Sequence, residues 1–234
     1  MPAVDDRLRE LAAAWDLPST APAPLATVLR LVVEEPTSIT TVRDPAEAVD
    51  VHVADSLAGL AVPGVRTAGV LADLGAGGGF PGLALAAALP EARVVLVESV
   101  GKKCAFLRRA AAEAALTRVE VVHARAEEWA AGLGACDVVT ARALAPLSVL
   151  AEYAAPLLRL GGQLVAWKGR RDGEEEAAGA AAAAFLGLGP AEVLEVRPFP
   201  AAEARHLHLY SKVRDTPPGY PRRPGMARKR PLGA

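Results

Sequence analysis

Val70-Leu-Ala-Asp73-Leu-Gly75-Ala-Gly77-Gly78-Gly79-Phe80-Pro81-Gly82 decides how this chain is read. An apolar run ends at an acidic residue, and a glycine cluster then carries the backbone into a helix opening at Pro81. Glycine tolerates positive φ and lets a ligand approach the main chain closely. In an open parallel sheet such a turn sits at the carboxyl ends of the strands, where ligands bind. Taken alone, a Gly-rich turn is also ordinary turn chemistry.

Its surroundings set it in a repeating pattern. Strands are expected at Gly69–Asp73, Arg93–Val97, Val119–Val122, Asp137–Thr140 and Gln163–Trp167. Helices are expected between them at Pro81–Leu89, Gly101–Ala115, Ala126–Ala131 and Pro146–Leu158, with a further one at Glu174–Phe185. This alternation predicts a mostly parallel sheet with helices on both faces. Two late strands, Glu192–Val196 and His206–Val213, have no helix between them and predict an antiparallel edge. The first 60 or so residues read as helical. Leu8, Leu11 and Trp15 are near helical spacing, Leu25–Val33 is a second apolar run, and Pro36, Thr37 and Ser38 break it. Asp44 before Pro45 predicts a capped helix reaching about Leu60, which Pro63-Gly64 ends. The expected organisation is a helical extension (1–62), a sheet domain (63–214) and a Pro/Arg-rich tail (215–234) running extended over the surface.

Composition narrows the class. The chain has 234 residues, 51 of them alanine, and no apolar run nears the roughly 20 residues that span a bilayer. Asp5, Asp6, Arg7, Arg9 and Glu10 leave no apolar leader at the N-terminus, so a cytoplasmic protein without a membrane partner is expected. Cys104 and Cys136 are too few for a disulfide framework or a Cys-rich metal site, and no metal is expected. Net charge is −1, yet residues 205–234 carry +7 and the remainder −8. A basic end on an acidic body fits a polyanionic partner, and it also fits a merely solvated tail.

The ligand chemistry follows from what flanks the glycines. Glu98 ends the second strand 21 residues after Gly77, the offset of an acid that accepts from ribose hydroxyls. A dinucleotide would rest its pyrophosphate on the helix N-terminus, but Pro81 has no N–H to give it. Asp73 suits an ammonium better than a phosphate. S-adenosylmethionine has an amino acid end, an adenosine end and no phosphate. Asp73 would orient its amine, Gly75 to Gly79 would pass beneath it, and Glu98 would hold the ribose. Residues four after Tyr153 and Tyr210 are Leu157 and Arg214, so the Tyr-x-x-x-Lys pair of one nicotinamide-dependent class is missing.

Further along, an ordered set of motifs accumulates: Thr41-Val-Arg-Asp-Pro45, His52-Val-Ala-Asp55-Ser56, Glu98-Ser-Val-Gly-Lys-Lys103, Phe106-Leu-Arg108, Arg125-Ala-Glu127-Glu128, Ala141-Arg-Ala143, Trp167-Lys-Gly169, Arg205-His-Leu207 and Tyr220-Pro-Arg-Arg-Pro-Gly225. With the Gly-rich turn, this set resembles the RsmG (GidB) family from about Thr40 to Pro231. Its members are class I methyltransferases acting on N7 of a guanine in the decoding-site region of 16S ribosomal RNA. The resemblance implies a Rossmann-like seven-stranded sheet and a cofactor site that includes Gly75, Phe80, Ala126, Glu127 and Arg142, with Ala126-Glu127 beside the adenine. It departs before Arg43, where Glu35-Pro-Thr-Ser38-Ile-Thr40 replaces the family's asparagine-bearing segment.

Methyl transfer is an in-line displacement that needs alignment above all. Guanine N7 is an unprotonated acceptor on the major-groove edge, so no general base is required. Arg142, closing the fourth strand, is the residue expected to position the base. Few aromatics argue for phosphate contacts over stacking. The candidates are His52, Lys102, Lys103, Arg108, Arg125, Lys168, Arg205, Arg222 and Arg223; each of the lysines and arginines has the alternative of a solvated charge, and Lys168 and Arg205 are favoured because they match the family's motifs near strand ends. His52 and Asp55 lie one helical turn apart and could instead bond each other. The expected partner is 16S ribosomal RNA or the small subunit, met by a monomer. A small-molecule methyltransferase, an RNA-binding assembly protein without catalysis and a nicotinamide oxidoreductase stand as alternatives.

Overall fold

The computed structural model describes residues 2–36 and 39–233. Thr37 and Ser38, expected to help break the second helix, lie outside them. Helices α1 (Pro2–Ala14) and α2 (Pro22–Glu34) open the chain. In α2, Leu25, Val28, Leu29, Leu31 and Val32 form a buried stripe, and the helix stops before Pro36, which disfavours helical backbone at the residue preceding it.

The helix expected from Asp44 to about Leu60 starts as predicted and then changes character. The Asp44 carboxylate accepts from the Glu47 N–H at 2.8 Å and caps α3 (Pro45–Ala48). The chain continues as a π-helical stretch over Val49–Ala54, α4 (Asp55–Leu57) and a 3-10 turn over Ala58–Ala61. The wide turn leaves Val49, Val53 and Ala54 fully buried while His52 stays at the surface of a cleft. A one-turn π segment inside a helix commonly sits at a functional site. Pro63 does not merely end this run: it starts α5 (Pro63–Arg66).

A seven-stranded sheet follows, in the order β3-β2-β1-β4-β5-β7-β6. Its parallel strands are β1 (Val70–Leu74), β2 (Arg93–Glu98), β3 (Val119–His123), β4 (Cys136–Arg142) and β5 (Leu158–Lys168). β1 and β2 are near-continuous Val/Leu runs because both faces of the sheet are covered. The connecting helices are α6 (Gly82–Ala88), α7 (Gly101–Glu113), α8 (Leu147–Ala154) and α9 (Gly173–Leu186). The antiparallel addition is β7 (Arg205–Ser211), which inserts between β5 and β6 (Glu192–Val196) and leaves β6 outermost.

Three segments differ from expectation. Ala126–Ala131 forms two 3-10 turns, Ala126–Glu128 and Ala130–Gly132, because so short a run has no apolar face to lay on the sheet. The helix at Pro146 ends at Ala154, and Leu158 already belongs to β5, where it pairs with Cys136. The tail is not simply extended: α10 (Met226–Lys229) docks against α8 with Ala227 buried.

Two apolar clusters occupy the two faces. One joins α1, α2, the 45–61 run, α6 and α7 to the sheet, and the other joins α8, α9 and Ala227 to it. β1 lies between β2 and β4, so strand order reverses there and opens a crevice at the carboxyl ends. No helix among the described residues is long and apolar enough to cross a membrane.

Candidate functional site

The Gly-rich turn is held at both ends by carboxylates. Asp73, 1% exposed, accepts from the Gly82 N–H at 2.9 Å and from the Thr140 hydroxyl at 3.0 Å. Gly82 is required there, since a Cβ would stand 2.3 Å from Leu96 and 2.8 Å from the Asp73 carboxylate. Glu98 accepts from the Gly77 N–H at 3.0 Å and from the Val100 N–H at 2.8 Å, tying the turn to the start of α7. The Gly75 N–H donates to the Val97 carbonyl at 2.8 Å with φ at +65°. A Cβ on Gly75 would approach Leu144 to 2.5 Å.

Two cavities open at the strand ends. The smaller, about 80 Å³, lies beyond β2 and β3 and is lined by Gly75, Ala126, Glu127, Leu144, Tyr153 and Arg228 among others. The larger, about 440 Å³, lies beyond β4 and β5 and takes its walls from Thr40, His52, Asp55, Arg142, Lys168 and Arg205. Leu144 borders the first and Ala143 the second, so they adjoin at the end of β4.

The larger cleft is organised by one carboxylate. Asp55 receives Arg142 at 2.8 Å on one oxygen and faces the Arg205 Nε at 3.3 Å on the other. Arg142 also donates to the Val51 carbonyl at 3.0 Å, and the Trp167 indole N–H donates to the Asp55 carbonyl at 2.9 Å. His52 therefore does not take Asp55 as its partner. Its Nε2 pairs with the Thr40 hydroxyl at 2.8 Å, and its ring stacks on Phe80 with centroids 5.0 Å apart. The Arg142 guanidinium lies 5.8 Å from the Phe80 ring.

Burial pushes the Asp73 carboxyl up to about 7, against the pull of its two hydrogen bonds. Burial, then the Arg142 charge, pushes His52 down to about 4. The two act on stability with opposite signs. Between about 4 and 7 the folded Asp73 holds a proton that the unfolded chain has lost, so its contribution falls as pH rises. Between about 4 and 6.5 the unfolded His52 holds the extra proton, so its contribution grows as pH rises. Asp73→Asn should remove the first effect. Urea midpoints at about pH 4.5 and 6.5 should then rise with pH more steeply in the variant than in the parent. Parallel slopes would show that Asp73 is ionised throughout.

The expected site residues fall into groups. Gly75, Ala126 and Glu127 line the smaller cavity and Arg142 the larger, Gly77 bonds to Glu98, and Phe80 packs against His52 and Arg142. Asp73 takes one hydrogen bond on each oxygen and is 1% exposed, so little of its carboxylate is presented to an amine. Glu127 accepts from the Gly225 N–H at 2.9 Å. Lys168 donates to the Ala145 carbonyl at 3.1 Å and pairs with Glu175. Lys102, Arg125 and Arg223 are exposed, and Lys103 is half-buried. Arg222 does not present a free charge to RNA: its Nε donates at 2.8 Å to Glu152, which is 1% exposed. Sequence reasoning missed Thr40, Thr140, Glu152, Tyr153 and Arg228, and weighed Asp55 only as a partner for His52. A carboxylate one turn after His52 in a segment otherwise buried was the available signal for Asp55.

A family model described as rRNA small subunit methyltransferase G matches residues 29–207. The chain belongs to that family. The Ribosomal RNA small subunit methyltransferase G of Rubrobacter xylanophilus is 47% identical over 196 residues, covering 81% of this chain and 75% of the relative. That of Desulfitobacterium hafniense is 43% identical, covering 85% of this chain and 83% of the relative. The fold is that of S-adenosylmethionine-dependent methyltransferases. A SAM-dependent O-methyltransferase from Thermotoga maritima superimposes with a TM-score of 0.57 at 16% identity, covering 80% of this chain and 72% of the other. The fibrillarin pre-rRNA processing protein of Methanococcus jannaschii gives 0.54 at 18%, covering 69% and 74%.

The residues present fit that cofactor. Gly75 lines the smaller cavity at positive φ, and Glu98, which holds the turn through the Gly77 N–H, keeps further lone pairs at the β2 end. An S-adenosylmethionine held there by Gly75, Gly77, Glu98 and Ala126 would supply a sulfonium-activated methyl group.

Proposed function

We propose that this chain methylates N7 of a guanine in 16S ribosomal RNA, in the decoding-site region. The observation that carries this reading is the pair of adjoining clefts. One is lined by Gly75 of the glycine turn, by Val97 and Ser99 on either side of Glu98, and by Ala126, and the other is built from Asp55, Arg142 and Arg205 at the ends of β4 and β7. The first would meet the adenine side of the cofactor at its mouth, and the second would take a flipped-out purine. The names of the relatives support small-subunit RNA as the substrate.

The protein's task is alignment. N7 carries no proton, so nothing must be removed from it, and the Thr140-Ala-Arg-Ala143 run brings no base. Arg142 positions the purine through its guanidinium, itself fixed by Asp55 and the Val51 carbonyl. Asp55 also answers a charge problem, since a purine methylated at N7 becomes cationic and an arginine alone would oppose it. His52, neutral above about pH 4, adds no further positive charge at working pH. Lys102, Arg125, Arg205 and Arg223 would take phosphates, giving binding that weakens steeply with salt.

Incubation with labelled S-adenosylmethionine and under-methylated small subunits should place the label in 16S RNA at a single guanine N7, mapped by strand scission at 7-methylguanosine. Label confined to protein or small molecules, or no incorporation into ribosomal RNA, would overturn the proposal.

A further inference from the structure

The basic tail reads from sequence as either a phosphate-binding arm or a solvated end. Its placement points elsewhere. The Gly225 N–H donates to Glu127, the residue that follows β3 in the adenine-side cavity. The Arg228 guanidinium reaches back to the Leu144 carbonyl at 2.8 Å and lines the same cavity as Gly75, Ala126 and Tyr153. The segment is anchored on either side of these contacts. Arg222 is bound to the buried Glu152 and donates to the Arg230 carbonyl at 2.8 Å, while Ala227 is 1% exposed. Tail residues thus bond to both rims of the smaller cleft, the turn after β3 and the chain just past β4.

We propose that residues 220–228 form the outer wall of the cofactor cleft and that Arg228 is a positioning residue for the adenine ring of the methyl donor. This rests on the cofactor reading above. A guanidinium is planar, weakly hydrated and able to lie on an aromatic face while its edge donates hydrogen bonds. Adenine offers a flat face and ring-nitrogen acceptors. Arg228 is already fixed at the Leu144 carbonyl, so little of its freedom remains to be lost on binding. Glu127 serves the cofactor indirectly, by holding the tail in place.

Calorimetric titration with S-adenosylhomocysteine tests this on the full chain. Arg228→Ala should bind about tenfold more weakly than the parent, the scale of losing a charged hydrogen bond. Arg228→Lys, which keeps the charge and loses the plane, should recover only part of the affinity. Lys229→Ala, an equal charge change one residue on, should bind as the parent does. In turnover, Arg228→Ala should raise KM for S-adenosylmethionine and leave kcat within about twofold, the mark of lost ground-state binding. Parent-like affinity of Arg228→Ala, equal losses in Arg228→Ala and Lys229→Ala, or weakened RNA binding with cofactor affinity intact would each overturn it. A parent that binds no S-adenosylhomocysteine would instead sink the cofactor reading on which it stands.

Discussion

Gly75→Asp is expected to abolish S-adenosylhomocysteine binding, a loss of at least about a hundredfold. Gly75 sits at φ +65°, where an L side chain costs about 1–2 kcal/mol. Its Cβ would meet Leu144 at 2.5 Å, at the junction of the two clefts. Leu144 can swing aside for a methyl, so Gly75→Ala should keep part of the affinity. Aspartate adds a carboxylate at the junction of the two clefts, in the ligand's path, where the apolar Leu144 side chain already crowds it. Calorimetry reports the affinity, and circular dichroism shows whether the fold persists. A folded Gly75→Asp protein that binds like the parent would move the cofactor away from this turn.

Arg222→Ala should be the most destabilising exchange in the tail. Glu152 is 1% exposed and takes the Arg222 Nε at 2.8 Å, a second guanidinium contact and the Arg222 backbone N–H at 3.3 Å. Removing one partner of a buried pair strands the other's charge, typically at a cost of about 3–5 kcal/mol. For a chain of this length each kcal/mol moves the melting temperature by roughly 2–4 °C, so a fall of about 10 °C is expected. Adding Glu152→Gln to the same protein should recover a good part of it, because the stranded charge is then gone. An unchanged melting temperature in Arg222→Ala would show that the tail is not docked in solution. In that event Arg222 would return to the set of residues available to RNA.

The sheet was legible because its strands are buried on both faces and read as unbroken Val/Leu runs between helical segments. The capped start at Asp44 was legible for the same local reason: one side chain bonds one backbone N–H three residues on. Errors arose where a distant partner decides. Ala126–Ala131 has helical propensity but no face to bury. Leu158 looks like the end of a helix until β4 is there to pair with it. The π-helical stretch depends on packing of Val49 and Val53 against the rest of the core, which no local pattern encodes. At the site, glycines and Glu98 announced themselves by spacing. Asp55 with Arg142, and Glu152 with Arg222, are 87 and 70 residues apart in the chain, so charge alone could not distinguish a paired arginine from a free one.

The order of the last two strands has a consequence for life in a crowded cell. With β7 turned inside, the margin opposite β3 belongs to β6, five residues reading Glu-Val-Leu-Glu-Val, preceded by Pro190 and followed by Pro198. Glu192 and Glu195 on it are both exposed. Another molecule arriving side-on to extend the ladder would have to set carboxylate near carboxylate on a short stretch hemmed in by rings that donate no hydrogen bond. On its β6 side the sheet therefore resists growth by self-templating.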